Sequence, residues 1–115
     1  MPKVLICDDD AMVRMVLTAA LHRRGHDVVE SSDSEQLLEA IRRSRFDLCI
    51  MDVSIPGLPF EDRLETLASL APDMPVLVLS GWPLPGTDTG EGHVMKLKKP
   101  VELARFDQAL AELGL

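Results

Sequence analysis

The sequence is poor in aromatic and basic residues. Only four of its 115 residues are aromatic, and none is a tyrosine; the four are Phe46, Phe60, Trp82 and Phe106. With so few rings, a sheet that binds single-stranded nucleic acid by base stacking is disfavoured. Twelve basic residues against nineteen acidic ones leave a formal net charge of -7, which argues against binding to nucleic-acid backbones or anionic lipids.

Cysteines and long apolar runs are also scarce. Cys7 and Cys49 lie inside short apolar runs without CxxC or Cys/His spacing, so we expect buried free thiols rather than a zinc site or a redox pair. No apolar run approaches the ~20 residues of a membrane span, and no secretory pattern follows the first methionine. We therefore expect a soluble cytoplasmic protein that forms a single domain over residues 1–115.

Short apolar runs alternate with amphipathic stretches along the chain. The runs predict five strands: Lys3–Cys7, Asp27–Glu30, Phe46–Met51, Val76–Ser80 and Val94–Lys98. The stretches predict four helices: Met12–Arg24, a helix capped from within Ser31–Ser34 and ending at Arg42 and Arg43, Glu61–Ala71, and Glu102–Leu113. This alternation predicts an α/β fold, a doubly wound five-stranded parallel sheet with helices on both faces.

Each predicted helix has an apolar face that should pack on the sheet. The faces are Met12, Val13, Val16, Leu17, Ala20 and Leu21; Leu37, Leu38 and Ile41; Leu64, Leu67 and Leu70; and Leu103, Phe106, Leu110 and Leu113. Asp10 is the expected N-cap of the first helix. We interpret Arg14, His22, His26 and His93 as surface or helix-face residues, since none has a metal-ligand companion.

Polar residues stand where four of the predicted strands end. They are Asp8 and Asp9 after the first strand, Asp52 after the third, Ser80 at the end of the fourth, and Lys99 after the fifth. The carboxyl ends of parallel strands meet at one edge of the sheet. Three carboxylates held together repel one another, and a divalent cation with oxygen ligands, best matched by magnesium, relieves that repulsion. A lysine and a hydroxyl beside such a metal are suited to phosphoryl transfer.

The order and spacing of these segments are similar to a known family. Val4–Asp10, Phe46–Asp52, Pro75–Gly81 and Lys99-Pro100 resemble the acidic strand, the phosphoacceptor strand, the switch strand and the lysine before a cis proline of bacterial response regulator receiver domains. The resemblance covers nearly the whole chain, which is similar to the single-domain chemotaxis type. It implies a flavodoxin-like sheet of order 2-1-3-4-5.

The resemblance also implies residue roles. Asp52 would accept a phosphoryl group from the phosphohistidine of a sensor histidine kinase or a histidine phosphotransfer protein. Asp8, Asp9, Asp52 and the Ser54 carbonyl would hold Mg²⁺, while Ser80 and Lys99 would bind phosphoryl oxygens. A stand-alone receiver of this kind would catalyse only its own phosphorylation and dephosphorylation, so we do not expect an enzyme. It would signal to another protein by contact or in a phosphorelay, without nucleic acid or membrane.

Three features depart from the family pattern. Phe60 replaces the usual glycine of the loop after the phosphoacceptor, where Gly57 offers that freedom instead. Lys96 replaces the aromatic residue whose rotation the family couples to the hydroxyl, so that coupling should not operate in its usual form. The segment from Ser80 to Lys99 is short and rich in proline and glycine, so the fold's fourth helix should be short or missing.

This last departure suggests a different switch. We hypothesise that Gly81–His93 is mobile and becomes ordered on phosphorylation or partner binding. Trp82 lies two residues after Ser80, so its fluorescence should report binding of metal or a phosphoryl mimic.

Two other functions remain open at this point. A receiver-like scaffold that acts without phosphorylation would explain Phe60, Lys96 and the loop Gly81–His93. A phosphatase of the haloacid dehalogenase kind would use the Asp-x-Asp of Asp8 and Asp10, with Asp8 rather than Asp52 as the nucleophile. The chain is short for that fold, and it lacks a clear late acidic pair.

Overall fold

The sheet and its helices are defined in a computed structural model, which describes residues 1–81 and 94–115. Within these residues the elements are β1 (Lys3–Cys7), α1 (Ala11–Arg23), β2 (Asp27–Ser31), α2 (Ser34–Arg43), β3 (Leu48–Asp52), α3 (Phe60–Leu70), β4 (Val76–Ser80), β5 (Val94–Lys98) and α4 (Leu103–Glu112). The paired strands are all parallel, in the order β2-β1-β3-β4-β5. The predicted doubly wound sheet of order 2-1-3-4-5 is confirmed.

Some expectations concern residues 82–93, which lie outside the described residues. They are the short or missing fourth helix, the mobility of Gly81–His93 beyond Gly81 itself, the position of Trp82 and the surface placement of His93. In the described parts of the chain, no helix is long and apolar enough to cross a membrane.

Alternate residues of the central strands pack on opposite faces of the sheet. In β1, Val4 and Ile6 belong to a core cluster that includes Phe106 of α4, and Leu5 belongs to a second cluster that includes Leu37 of α2. The first cluster also takes its helical members from α1, and the second from α3. Both faces of the central strands are therefore buried, which explains why β1, β3 and β4 are apolar almost throughout.

The predicted apolar face of α1 is only partly confirmed. Leu17, Ala20 and Leu21 are buried, but Met12 and Val16 are exposed. Each of them directly precedes a residue that packs in the core, Val13 or Leu17, so they lie beside the buried face of the helix rather than on it.

The predicted face of α3 needs a larger correction. Leu67 is buried, but Leu70 is exposed, and the other buried residue of the helix is Arg63. In α4, Phe106 and Leu110 are buried as predicted, whereas Leu103 is 40% exposed.

Side-chain caps begin the first two helices as the sequence predicts. The Asp10 carboxylate accepts a hydrogen bond from Met12 N at 2.9 Å at the start of α1. Asp33, within the predicted capping segment, accepts one from Gln36 N at 2.8 Å at the start of α2. Each cap satisfies a backbone N–H that the helix itself leaves unpaired.

The loop after β3 turns at a glycine and is fastened to α2. Gly57 has a φ of +108°, in the left-handed region, and Phe60 is simply the first residue of α3. Ser34 N donates to Pro56 O at 2.9 Å, and Ser34 Oγ accepts from Leu58 N at 2.9 Å. Gly57 therefore supplies the freedom that the family's usual glycine would supply at position 60.

Gly57→Ala should destabilise the protein more than its backbone conformation alone would predict. A Cβ at position 57 would overlap Ser34 Oγ, in addition to the cost of about 1–2 kcal/mol for a left-handed alanine. Gly25→Ala is the matched control, because Gly25 has a φ of +83° but a Cβ there would meet only the Met1 methyl group at 3.4 Å. Urea unfolding should show a larger decrease in the free energy of unfolding for Gly57→Ala than for Gly25→Ala. Equal decreases would contradict the close packing of Gly57 against Ser34 of α2.

Candidate functional site

Three carboxylates meet at the carboxyl ends of β1 and β3. One oxygen from each of Asp8, Asp9 and Asp52 can be chosen so that all lie within 4.8 Å of one another. Asp8 is fully buried, Asp52 is 6% exposed, and Asp9 faces solvent. The pairing of β1 with β3 sets this geometry, since Cys7 is in register with Met51 and the acidic residues follow directly. The predicted convergence of these three residues is found.

Lys99 bridges two of the carboxylates. Its Nζ lies 2.9 Å from Asp8 Oδ2 and 3.0 Å from Asp52 Oδ2. The backbone places it there, because Lys99 N donates to Ser80 O at 2.9 Å and the Lys99-Pro100 peptide bond is cis. Ser80 itself is 9% exposed at the end of β4. The predicted lysine thus reaches the acidic residues from the far end of the chain.

Burial and charge set the protonation of this cluster. Burial raises the pKa of Asp8 above its usual value, and the Asp10 N–H and Lys99 offset only part of that effect. Burial alone would lower the pKa of Lys99, but its hydrogen bonds to Asp8 and Asp52 outweigh that effect and raise it. Lys99 therefore stays charged at neutral pH, as the positive counterpart of a crowded acidic site.

Backbone groups hold both buried carboxylates in place. Asp10 N donates to Asp8 Oδ1 at 2.9 Å, and Ser54 N donates to Asp52 Oδ1 at 3.3 Å. Arg14 lies on α1, where the sequence places it, but its Nη1 also donates to Asp8 O at 2.7 Å. Two hydrogen bonds therefore hold Asp8 at the end of β1, one to its carboxylate from Asp10 N and one to its carbonyl from Arg14.

Arg63 is a site residue that the sequence analysis missed. Its side chain is 1% exposed, and its guanidinium donates through Nε to Leu58 O at 2.9 Å and through Nη1 to Asp52 O at 3.0 Å. Nη2 donates to Val53 O. Arg63 and Leu67 form an i, i+4 pair, a spacing that could have drawn attention to an arginine on the buried face of the helix.

His26 is also misplaced by the sequence analysis. It is 7% exposed rather than a surface residue, because Gly25 turns the chain at the end of α1 and His26 N donates to Leu21 O at 3.1 Å. His22 lies on α1 and is exposed, as predicted. Cys7 and Cys49 are free and buried, also as predicted, and burial raises the pKa of Cys7 to about 11.

The acidic cluster fits a hard divalent cation. Its ligands are carboxylate oxygens, which Mg²⁺ and Ca²⁺ prefer, and exposed Asp9 leaves one side open to water. Burial, with a smaller contribution from the Asp52 charge, raises the pKa of Asp8, so its charged form is costly in the folded protein, and a bound cation would relieve that cost. Asp10 is engaged as the cap of α1, so it does not join this cluster.

The fold and the site define the class of protein. The sequence profile of the response regulator receiver domain matches residues 4–111. The chain belongs to this family.

Individual relatives agree with that assignment. The chain is 35% identical over 108 residues to protein-glutamate methylesterase/protein-glutamine glutaminase 1 of Anaeromyxobacter dehalogenans, covering 86% of this chain and 30% of the relative. It is 33% identical over 120 residues to the sensory/regulatory protein RpfC of Xanthomonas campestris, covering 98% of this chain and 16% of the relative. The chain thus spans less than a third of the length of these two relatives. The solved structure of chemotaxis response regulator CheY4 of Vibrio cholerae superposes with a TM-score of 0.87 at 25% identity, covering 98% of each chain.

Asp8→Asn should stabilise the protein when no divalent cation is present. Burial raises the pKa of Asp8, which means that folding disfavours its charged form, so removing the charge should raise the free energy of unfolding at pH 7. The asparagine Oδ1 can still accept the hydrogen bond from Asp10 N, and Lys99, which loses its contact with Asp8, keeps the Asp52 carboxylate as its partner at 3.0 Å. Because the folded pKa is the higher one, the gain should shrink as pH falls through it and vanish below the unfolded value of about 3.9.

Urea unfolding in EDTA across this pH range measures the effect. Asp73→Asn, an exposed residue between α3 and β4, is the control and should change little. A variant that is less stable than wild type at pH 7, or a gain independent of pH, would contradict the electrostatic account.

Proposed function

We propose that Asp52 is a phosphoacceptor, and that the protein takes a phosphoryl group from the phosphohistidine of a sensor histidine kinase or histidine phosphotransfer protein in a Mg²⁺-dependent reaction. The observation that carries the proposal is the Lys99 ammonium 3.0 Å from Asp52 Oδ2, beside a three-carboxylate cluster, in a chain of the receiver family. Phosphoryl transfer needs a positioned nucleophile and compensated charge rather than covalent chemistry by other side chains.

The transfer itself would be a single displacement at phosphorus. An Asp52 carboxylate oxygen attacks the phosphorus, the N–P bond of the phosphohistidine breaks, and the imidazole nitrogen keeps the electron pair. An acyl phosphate on Asp52 and a free histidine result. Ser54 N holds one oxygen of Asp52 and Lys99 the other, which restricts the rotation of the nucleophile before it reacts.

Mg²⁺ would be held by Asp8, Asp9, Asp52 and the Ser54 carbonyl. When bound, it supplies positive charge to the phosphoryl oxygens as they are transferred. The closeness of the carboxylate oxygens supports the three aspartates as ligands of a hard cation, and the Ser54 carbonyl and the choice of magnesium come from the family resemblance.

Lys99 and Ser80 would bind the phosphoryl oxygens of the product. Lys99 already contacts Asp52, so a phosphoryl group there would give its ammonium a stronger anionic partner. A backbone hydrogen bond ties Lys99 to Ser80, so the two residues would respond together. Lys96 is exposed on β5, and a lysine there has no ring whose rotation could follow the hydroxyl of Ser80.

The wider role of the protein follows from this chemistry. It would catalyse only its own phosphorylation and dephosphorylation and would pass the signal to another protein by contact or by phosphorelay. A cytoplasmic location agrees with the two buried free thiols. The single domain over residues 1–115 remains a prediction.

Mass spectrometry after incubation with acetyl phosphate and Mg²⁺ tests the proposal. We expect one added phosphoryl group on the wild-type protein, with none on Asp52→Asn and none when EDTA replaces Mg²⁺. Asp73→Asn should be modified like wild type, because that carboxylate is exposed and belongs to another loop. Modification that persists in Asp52→Asn would contradict the assignment, and an unmodified wild type would favour the scaffold function.

A further inference from the structure

The buried guanidinium of Arg63 is not explained by the roles assigned so far. Among the described residues it has no carboxylate within ion-pair distance, although its side chain is 1% exposed. Burial lowers its pKa, while Cys7, Asp52 and Cys49 act in the opposite direction. Burying an unpaired cation is costly, and an apolar residue of similar size would avoid that cost.

The partners of Arg63 are backbone carbonyls of the strand end and loop that carry the phosphoacceptor. Two of them belong to Asp52 and Val53, the residues just before the proposed Ser54 ligand, and the third belongs to Leu58. A planar guanidinium has donors fixed in a fork, so it can hold several carbonyls at set positions. An ammonium is a point charge on a flexible stem and cannot reproduce that fork.

Phe60 takes part in the same arrangement. Its ring centroid lies 5.5 Å from Arg63 Cζ, close enough for a cation–π contact. Arg63 N also donates to Pro59 O at 2.9 Å within the first turn of α3. The phenylalanine that replaces the family's usual glycine therefore packs beside the guanidinium that holds the loop.

We propose that Arg63 is a positioning residue that fixes the backbone at Asp52 and Val53 and so sets the affinity of the adjoining site for Mg²⁺. The inference rests on the proposed function, because it takes Asp52 and the Ser54 carbonyl as metal ligands. Arg63 acts through the backbone and through neither a direct metal contact nor a phosphoryl contact. Groups that orient metal ligands commonly change affinity by ~10–100-fold when they are removed.

Isothermal titration of Mg²⁺ into wild type, Arg63→Lys and Arg63→Met tests this role. Both variants should bind Mg²⁺ about tenfold more weakly, because neither side chain can hold three carbonyls. Leu67→Ala is the matched control: it removes a buried side chain one turn further along α3 and should lower stability without changing Mg²⁺ affinity. Urea unfolding of each variant separates loss of stability from loss of affinity.

Several outcomes would overturn the inference. Wild-type affinity in Arg63→Lys and Arg63→Met, with lower stability, would leave Arg63 a structural residue only. Unchanged Mg²⁺ affinity in Arg63→Lys with tighter binding in Arg63→Met would show that the positive charge of the side chain affects Mg²⁺ affinity, and that the planar arrangement of the guanidinium donors does not.

If the variants do not fold, the arginine Nε–H resonance of Arg63 in the wild-type protein gives the answer. It should be protected from solvent exchange. Its chemical shift should change during a Mg²⁺ titration, with the same Kd that calorimetry gives for the site. A resonance whose chemical shift does not change as Mg²⁺ is added would overturn the inference.

The two proposals can fail separately. A wild type that accepts the phosphoryl group while Arg63→Lys matches its Mg²⁺ affinity would remove only the inference about Arg63. A wild type that binds Mg²⁺ but is never phosphorylated would remove only the phosphoacceptor role of Asp52.

Discussion

The contact on which this structure depends is the bridge that Lys99 makes between Asp8 and Asp52. Two carboxylates are buried side by side at the ends of β1 and β3, and burial works against the charged form of Asp8. The ammonium group of Lys99 offsets their charge. Lys99 lies 91 residues away from Asp8 in sequence and directly follows β5. The sheet order is what brings it there, because β4 and β5 extend the sheet beyond β3 in parallel. The site is therefore assembled only when β1, β3, β4 and β5 have paired.

The loop that follows Asp52 is held from two sides. On one side, Ser34 at the start of α2 hydrogen-bonds to Pro56 and Leu58 around the left-handed turn at Gly57. On the other side, the guanidinium of Arg63, on α3, donates hydrogen bonds to the carbonyls of Asp52 and Val53. Such a loop would present its groups to a metal or phosphoryl group with little reorganisation, which is the condition for electrostatic catalysis.

The sequence was sufficient to predict the strands, the sheet and the convergence of Asp8, Asp9, Asp52 and Lys99, because parallel strands force their carboxyl ends together. It was not sufficient for Arg63 or His26. Sequence analysis places charged residues at the surface by default. The partners of Arg63 are backbone carbonyls, which every residue type has, so the sequence does not indicate them. The exposed Leu70 and Met12 show the same limit in reverse, because apolar residues at helical spacing can also lie on the exposed part of a helix. The ligand roles and the function of residues 82–93 stay predictions.

The central claim is that this cluster holds a metal and directs a phosphoryl group to Asp52. A crystal structure of the protein grown with Mg²⁺ and beryllofluoride tests it most directly. The account predicts a fluoroberyllate bound to an Asp52 carboxylate oxygen, with Lys99 Nζ on a fluorine and the metal on Asp8, Asp9, Asp52 and the Ser54 carbonyl. A structure in which Lys99 still bridges Asp8 and Asp52, with no adduct on Asp52 at saturating reagent, would contradict it.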